Sequence, residues 1–448
     1  MKSTKFLAVV VAAAALAAMT ACSSSGSAGS SKSIKVAYID SGGAAMTSYM
    51  NGVKKDFESA NKGAKVVLVP IKASESDFYT KLALMNRSAS TAPDVLWEDT
   101  FQIKSDAAAG YLAPLDKDVA KWSDWSQFFD NAKSAGEGAD GKIYGIPIGT
   151  DTQGLWYNKS ILEKAGVTVP WAPKTWDDVL AAAKAVKASS PGVTPINIYS
   201  GKIGAEASSM RGVQTLLSGT GDALYSSKSN KWVTSSDGFT STLGLIQKIY
   251  SDGLGLGPQV TTDPNYGNIP PTLLQSGKLA IDLDGSWLSG NWLASGSTPW
   301  PDWDKTLGQA AMPTETGAAP GTTSMSGGWT WAVGSKSANH DLAWKFVSTA
   351  TNAKNSLTYD IKVSNIPVRK DVGADPSYTA SNPTAAFFSG LVAVTHFRPA
   401  TADYPQISNN IAIASDSVMS GQQTPAQAAK TYGDSVISIV GKDKTTTE

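Results

Sequence analysis

The chain has 448 residues, with 38 basic and 38 acidic side chains, one Cys, two His, 41 Gly and 14 Trp. Its length suits two or three domains at roughly 100–200 residues each. The balanced charge leaves no basic surplus to meet phosphate, which sets aside nucleic-acid binding. A 42% hydrophobic share with 17% charged residues can build a sizeable core, whereas one Cys and two His leave little for a zinc site or an intramolecular disulfide.

At the amino end Lys2 and Lys5 precede an apolar, Ala-rich run from Phe6 to Met19. A basic segment followed by a short apolar one has the form of an export signal, too short for a stable transmembrane span. Leu16 to Cys22 reads LAAMTAC and resembles the bacterial lipobox, in which the Cys is lipidated and begins the mature protein. Residues 1–21 are therefore expected to be a removed signal peptide, and Cys22 a lipid anchor. Ser23 to Ser33 (SSSGSAGSSKS) is a Ser/Gly tether; fully extended it reaches about 36 Å at ~3.3 Å per residue. Loss of residues 1–21 removes two lysines and no acid, leaving 36 basic against 38 acidic side chains and a mature charge of −2.

The body alternates short apolar runs with amphipathic segments. Residues 34–39, 66–71, 94–97, 145–148, 195–199, 279–283 and 329–333 read as strands, rich in Val, Ile and aromatics. Ser74 opens a helical stretch reaching Asn86. Thr175-Trp176-Asp177-Asp178 is a capping box before another helix, and Thr424 with Pro425 opens a C-terminal one. This alternation argues for α/β layers with parallel sheets, and ligands in such sheets sit beyond the carboxyl ends of strands. Segments 252–271 and 313–328, rich in Gly, Pro and Thr, read as long loops or crossovers.

Catalytic and cofactor motifs are missing. The GLGLG run at 253–257 lacks GxGxxG spacing; no Walker-type loop or GxSxG occurs, and His340 and His396 stand in no metal-ligand spacing. We expect no cofactor, no metal and no catalytic set. Paired carboxylates among Glu98, Asp99, Asp151 and Asp284 leave glycoside hydrolysis open on residue types alone.

Several blocks together resemble the family 1 extracellular solute-binding proteins that serve carbohydrate-uptake ABC transporters. Ile143 to Lys187 (IYGIPIGTDTQGLWYNKSILEKAGVTVPWAPKTWDDVLAAAKAVK) carries the family's Y-G-(I/L/V)-P strand, Y-N-K turn, A-G helix end and T-W-(D/E)-(D/E) cap. Pro93-Asp94-Val95-Leu96 with Asp99 and AAAGYLAPL at 107–115 precedes it. GKLAI at 277–281 with Asp284-Gly285-Ser286-Trp287, Ser326-Gly327-Gly328-Trp329, Arg398-Pro399 and Tyr404-Pro405-Gln406-Ile407 follow in the family's order. The resemblance spans nearly all of 34–440. It implies a two-lobed, type II periplasmic-binding-protein-like α/β fold, each lobe a sheet flanked by helices, with ligand in the cleft between lobes. The lobes are expected at 34–150 with 327–366 and at 153–310 with 367–448, joined by crossings near 150–152, 310–326 and 364–370.

A pyranose presents apolar C–H faces and a rim of hydroxyls. Indoles suit the former and carboxylates the latter. Trp beside Asp or Glu at strand ends is therefore the pattern sought, and Trp97-Glu98-Asp99 and Asp284 with Trp287 supply it. Asp151 lies at a crossing, Gly328 lets backbone approach closely next to Trp329, Asp40 ends the first strand, and Arg398 could brace the lobes or meet hydroxyls. Trp329 and Trp331 are expected on opposite strand faces, so that only one lines the cleft. Trp122, Trp125, Trp171, Trp176, Trp300, Trp303 and Trp344 are assigned to packing. The reading is an extracytoplasmic, lipid-anchored, monomeric receptor for a sugar or oligosaccharide, which hands its ligand to an ABC permease. A secreted glycosidase and a lipoprotein that presents ligand to a sensor are the alternatives.

Overall fold

A computed structural model describes residues 32–40, 44–294 and 296–447. The signal segment, Cys22, the tether up to residue 31, and Ser41-Gly42 lie outside the described residues. Two sheets organise the rest. Their strands are β1 (Ser33–Ile39), β2 (Lys65–Ile71), β3 (Val95–Asp99), β4 (Gly145–Thr150), β5 (Gln153–Asn158), β6 (Thr194–Ile198), β7 (Leu279–Gly285), β8 (Leu307–Ala310), β9 (Thr322–Ser326) and β10 (Gly328–Val333). The first sheet has the order β2-β1-β3-β10-β4 and the second β8-β5-β7-β6, while β9 pairs with Met312–Pro313 and Thr395–Phe397. All five residues of β3 and all seven of β7 are buried, as befits central strands covered on both faces.

Several helices begin where a side chain closes the first turn. Thr175 accepts from the Asp178 amide at 3.2 Å while the Asp178 carboxylate accepts from the Thr175 amide at 3.0 Å, and Thr424 with Gln427 repeats this box. Ser74 caps the helix Glu75–Asn86 through the Asp77 amide at 3.3 Å. Apolar faces then dock the helices on their sheets. Tyr49, Met50, Val53 and Phe57 of helix Ala44–Ala60 enter the core of the first sheet, where Phe57 meets Phe346 edge-on at 5.6 Å. Helices Trp176–Ser189, Asp237–Ser251, Tyr404–Met419 and Pro425–Val440 fill the core against the second sheet. No helix among the described residues is long and apolar enough to cross a membrane.

Three expectations change. The sheets are mixed rather than parallel: β10 runs antiparallel to both β3 and β4, and β5 antiparallel to β7 and β8. β10 returns from the second sheet and inserts between β3 and β4, running against both, while residues 151–152 carry the chain from β4 in the first sheet to β5 in the second. Segment 252–271 is folded into short helical turns, Pro258–Thr261 and Tyr266–Asn268, which lead into helix Ile269–Gln275. Pro258 and Pro270 set the helical φ of the first turns, and Leu254 and Leu256 of the GLGLG run are buried. Segment 313–328 contains β9.

Gly328 begins β10 at φ 145°, and a Cβ there would overlap the Gly149 carbonyl oxygen. Gly328→Ala is expected to cost about 1–3 kcal/mol, measured by urea unfolding; an unchanged midpoint would show that this backbone relaxes freely.

Candidate functional site

The site lies where the strand ends of the two sheets face each other. From the first sheet, Asp99 ends β3 and is 7% exposed. Its carboxylate accepts from the Tyr79 hydroxyl at 2.9 Å, from the Phe101 amide at 3.3 Å and from Arg398 at 2.6 Å. Arg398 comes from the segment after Thr395–Phe397. Its other terminal nitrogen donates to Glu206 at 3.2 Å, and its plane lies 4.6 Å from the Phe101 ring. Glu206, after β6, also accepts from Tyr404 at 2.7 Å and from Ser408. One guanidinium therefore bridges carboxylates anchored on different sheets.

A second guanidinium repeats the device. Arg211 donates to both Glu75 oxygens at 3.2 Å and stands 3.7 Å from Asp284 at the end of β7. Asp284 also accepts from Tyr199 at 3.1 Å and from the Gly285 amide at 2.7 Å. The guanidinium covers Trp287 at 4.7 Å and Tyr199 at 5.3 Å from the ring centres, a cation–π arrangement.

Between the two arginines lies Asp151, in the two-residue crossing. It accepts from the Gly327 amide at 3.1 Å and from Gln153 at 3.4 Å. Burial pushes its carboxyl up to about 6, against the pull of Arg398 and the Gly327 amide. Ionising Asp151 therefore costs the native state as pH rises through that range. A tenfold change in proton affinity is worth about 1.4 kcal/mol, so Asp151→Asn should gain about 2–3 kcal/mol on the wild type between pH 4 and 7. Urea unfolding across that range checks this, and parallel pH profiles would refute it.

Aromatic rings wall the site. Trp329, half-buried, stacks on Trp97 at 5.6 Å and 20°, and meets Phe78 at 6.0 Å and Tyr79 at 6.2 Å. Trp97 is 2% exposed and also touches Trp331 at 4.5 Å. The expectation that Trp329 and Trp331 point to opposite faces fails: residues two apart on a strand share a face, and both indoles contact Trp97. Depth distinguishes them, since Trp331 is fully buried.

The structure thus brings together Trp97, Asp99, Asp151, Asp284, Trp287, Gly328, Trp329 and Arg398. Glu98 is a correction. It points to the other face of β3, where both carboxylate oxygens are buried with no hydrogen-bond partner among the described residues. Burial, then Asp106 and Asp99, pushes it well up, while Asp106 itself rises to about 6 through burial. The alternation of a strand sends Glu98 away from its two neighbours. Asp40 follows β1, its amide donating to Ile71 at 3.0 Å, beside β3 in the sheet. Sequence reasoning missed Arg211, Glu206, Glu75 and Tyr79. Arg211 carried one readable signal, a lone charge inside the small and apolar run ASSMRGVQTLL. His340 pairs with Asp118 at 2.9 Å.

The family model described as bacterial extracellular solute-binding protein matches residues 41–356 of the chain. The galactooligosaccharide-binding protein of Bacillus subtilis (strain 168) is 25% identical over 360 residues, 77% of this chain and 76% of that protein. The maltooligosaccharide ABC transporter solute-binding lipoprotein of Streptococcus pneumoniae (strain ATCC BAA-255 / R6) is 27% identical over 383 residues, 83% of this chain and 81% of that protein. Among solved structures, an ABC transporter solute-binding protein from Thermotoga lettingae TMO bound with alpha-D-tagatose superposes with a TM-score of 0.78 at 24% identity, covering 92% of this chain and 100% of that one.

Proposed function

Because the chain belongs to the bacterial extracellular solute-binding proteins, we propose that it is a lipid-anchored receptor that closes on a sugar or oligosaccharide and hands it to an ABC permease. The fold is the type II periplasmic-binding-protein fold, two sheets flanked by helices. The observation that carries the sugar reading is the convergence of indoles and buried carboxylates at facing strand ends. Trp329 and Trp287 offer flat apolar area, and Asp99, Asp151 and Asp284 offer acceptors for hydroxyl pairs. The relatives named above, both oligosaccharide-binding by name, support the same class.

In this reading the lobes are 34–150 with 327–366 and 153–310 with 367–448. The crossings are the hinge about which they close. Cys22 with its lipobox and Ser/Gly tether anchors the receptor outside the membrane, and the Streptococcus relative is likewise named a lipoprotein. The receptor acts as a monomer and makes or breaks no bond. None of the relatives above is named as a hydrolase.

Calorimetric titration of the purified protein with mono-, di- and oligosaccharides, amino acids and polyamines tests the proposal. A sugar is expected to bind with Kd of about 1 μM or tighter, near −8 kcal/mol. Binding of an amino acid or polyamine with no sugar response would overturn the substrate class. Turnover of chromogenic glycosides, abolished in Asp151→Asn, would replace the receptor with an enzyme.

A further inference from the structure

Apart from the arginine network, close to where the chain passes between the sheets, lies a separate small pocket of mixed polar and apolar lining. Its free volume is about 10 Å³, at the lower bound for one water-sized occupant. Ser286, Asp360, Ser364, Asn365, Tyr378 and Asn382 are among the residues that line it. Asp360, near the end of helix Ala353–Val363, is 1% exposed, and neither carboxylate oxygen has a hydrogen-bond partner among the described residues. The same holds for the hydroxyls of Ser286 and Ser364, 3% and 7% exposed. Three deeply buried polar side chains thus border one space with no protein group to satisfy them.

The neighbouring amides are already engaged. Asn365 donates to the Tyr359 hydroxyl at 3.2 Å, and Asn382 to Ser289 at 2.8 Å. Gly149 lies against these side chains, since a Cβ there would stand 2.9 Å from both Asp360 Oδ1 and Asn365 Nδ2. An isolated buried carboxylate is costly, and burial pushes Asp360 well up.

We propose that this cavity binds one small monovalent cation of sodium's size, held by the Asp360 carboxylate and the hydroxyl oxygens of Ser286 and Ser364. The donors are all oxygen, which suits a hard cation. A single carboxylate balances a single positive charge, whereas a divalent ion would leave a buried positive surplus. No cluster of three or more His, Cys, Asp or Glu suited to a metal occurs among the described residues. The Ser286 amide donates to Thr152 at 2.9 Å, and Ile366, which follows Asn365, exchanges two hydrogen bonds with Thr150. The ion therefore joins two crossing segments. This proposal is independent of the sugar reading.

The test is thermal unfolding of the purified protein, without sugar, across a sodium series with choline chloride holding ionic strength constant. Binding to the native state raises Tm with ligand concentration. Wild type is expected to gain Tm with sodium, Asp360→Asn to show no response, and Ser286→Ala to need more sodium for the half-maximal shift. Equal Tm in sodium and choline would mean that water or a proton fills the cavity and would overturn the proposal, as would a full response in Asp360→Asn. If Asp360→Asn does not fold, the wild-type protein decides: a Tm gain in sodium that is absent in rubidium, an ion too large for the space, supports the site, and an equal gain in both, or in neither, overturns it.

Discussion

Replacing Arg398 by Met is expected to lower the unfolding free energy by about 3–5 kcal/mol, the cost of leaving a buried charge unpaired. The Arg398 side chain is only 4% exposed and reaches two carboxylates, Asp99 at 2.6 Å and Glu206 at 3.2 Å. Without it Asp99 keeps Tyr79 and the Phe101 amide, and Glu206 keeps Tyr404 and Ser408. Both lose the cation that offsets their burial. Burial already raises Glu206 in the native protein, with Arg398 pulling the other way.

Removal of Arg398 raises it further, so the variant's native state takes up protons more readily than its unfolded state. A raised acid gives stability that is lost as pH rises, so the deficit should be largest near pH 7 and shrink toward pH 4. Arg398→Lys should fall between, because a point ammonium cannot present two parallel donors to two separate carboxylates. Urea unfolding at several pH values measures all of this. A deficit under about 0.5 kcal/mol, within the ordinary range for surface changes, would mean the bridge contributes no net stability.

The second large effect concerns binding. Trp329→Ala and Trp287→Ala are each expected to weaken sugar affinity by at least about tenfold, or 1.4 kcal/mol, as for buried aromatic anchors at interfaces. Trp329 rests on Trp97, which is itself held by Trp331 and by Tyr359 at 5.5 Å, so its indole is rigid before ligand arrives. Trp287 differs, because the Arg211 guanidinium covers it at 4.7 Å. A sugar is expected to take that face by displacing Arg211, so that Trp287→Ala would remove the platform of both. Titration with the best ligand of the panel reads the loss, and Trp329→Phe should recover part of it. Unchanged affinity in both alanine variants would place the ligand elsewhere.

Much of this architecture can be read from local chemistry. Strands built around short apolar stretches, such as Ser33–Ile39 and Leu279–Gly285, match those stretches within a few residues. The Thr175 and Thr424 boxes mark helix starts because the capping hydrogen bonds are confined to four residues. Strand direction is another matter. Gly328–Val333 enters its sheet antiparallel after an excursion through the second sheet, and no local pattern records that route.

The site divides in the same way. Trp97 and Asp99 could be found from a strand end, but period-2 alternation removes Glu98 from between them. Arg211, Glu206, Glu75 and Tyr79 were not legible because their roles arise from pairing across 20 to 202 positions in sequence. The lone charge of Arg211 within an apolar helical run was the available hint.

A crystal structure with the tightest-binding sugar of the panel tests the placement of the ligand outright. A sugar ring is expected to stack on Trp287 or Trp329, with its hydroxyls on Asp99, Asp151 or Asp284 and Arg211 moved from the indole it covers. A sugar bound outside the facing strand ends, with both arginine bridges intact, would refute that placement.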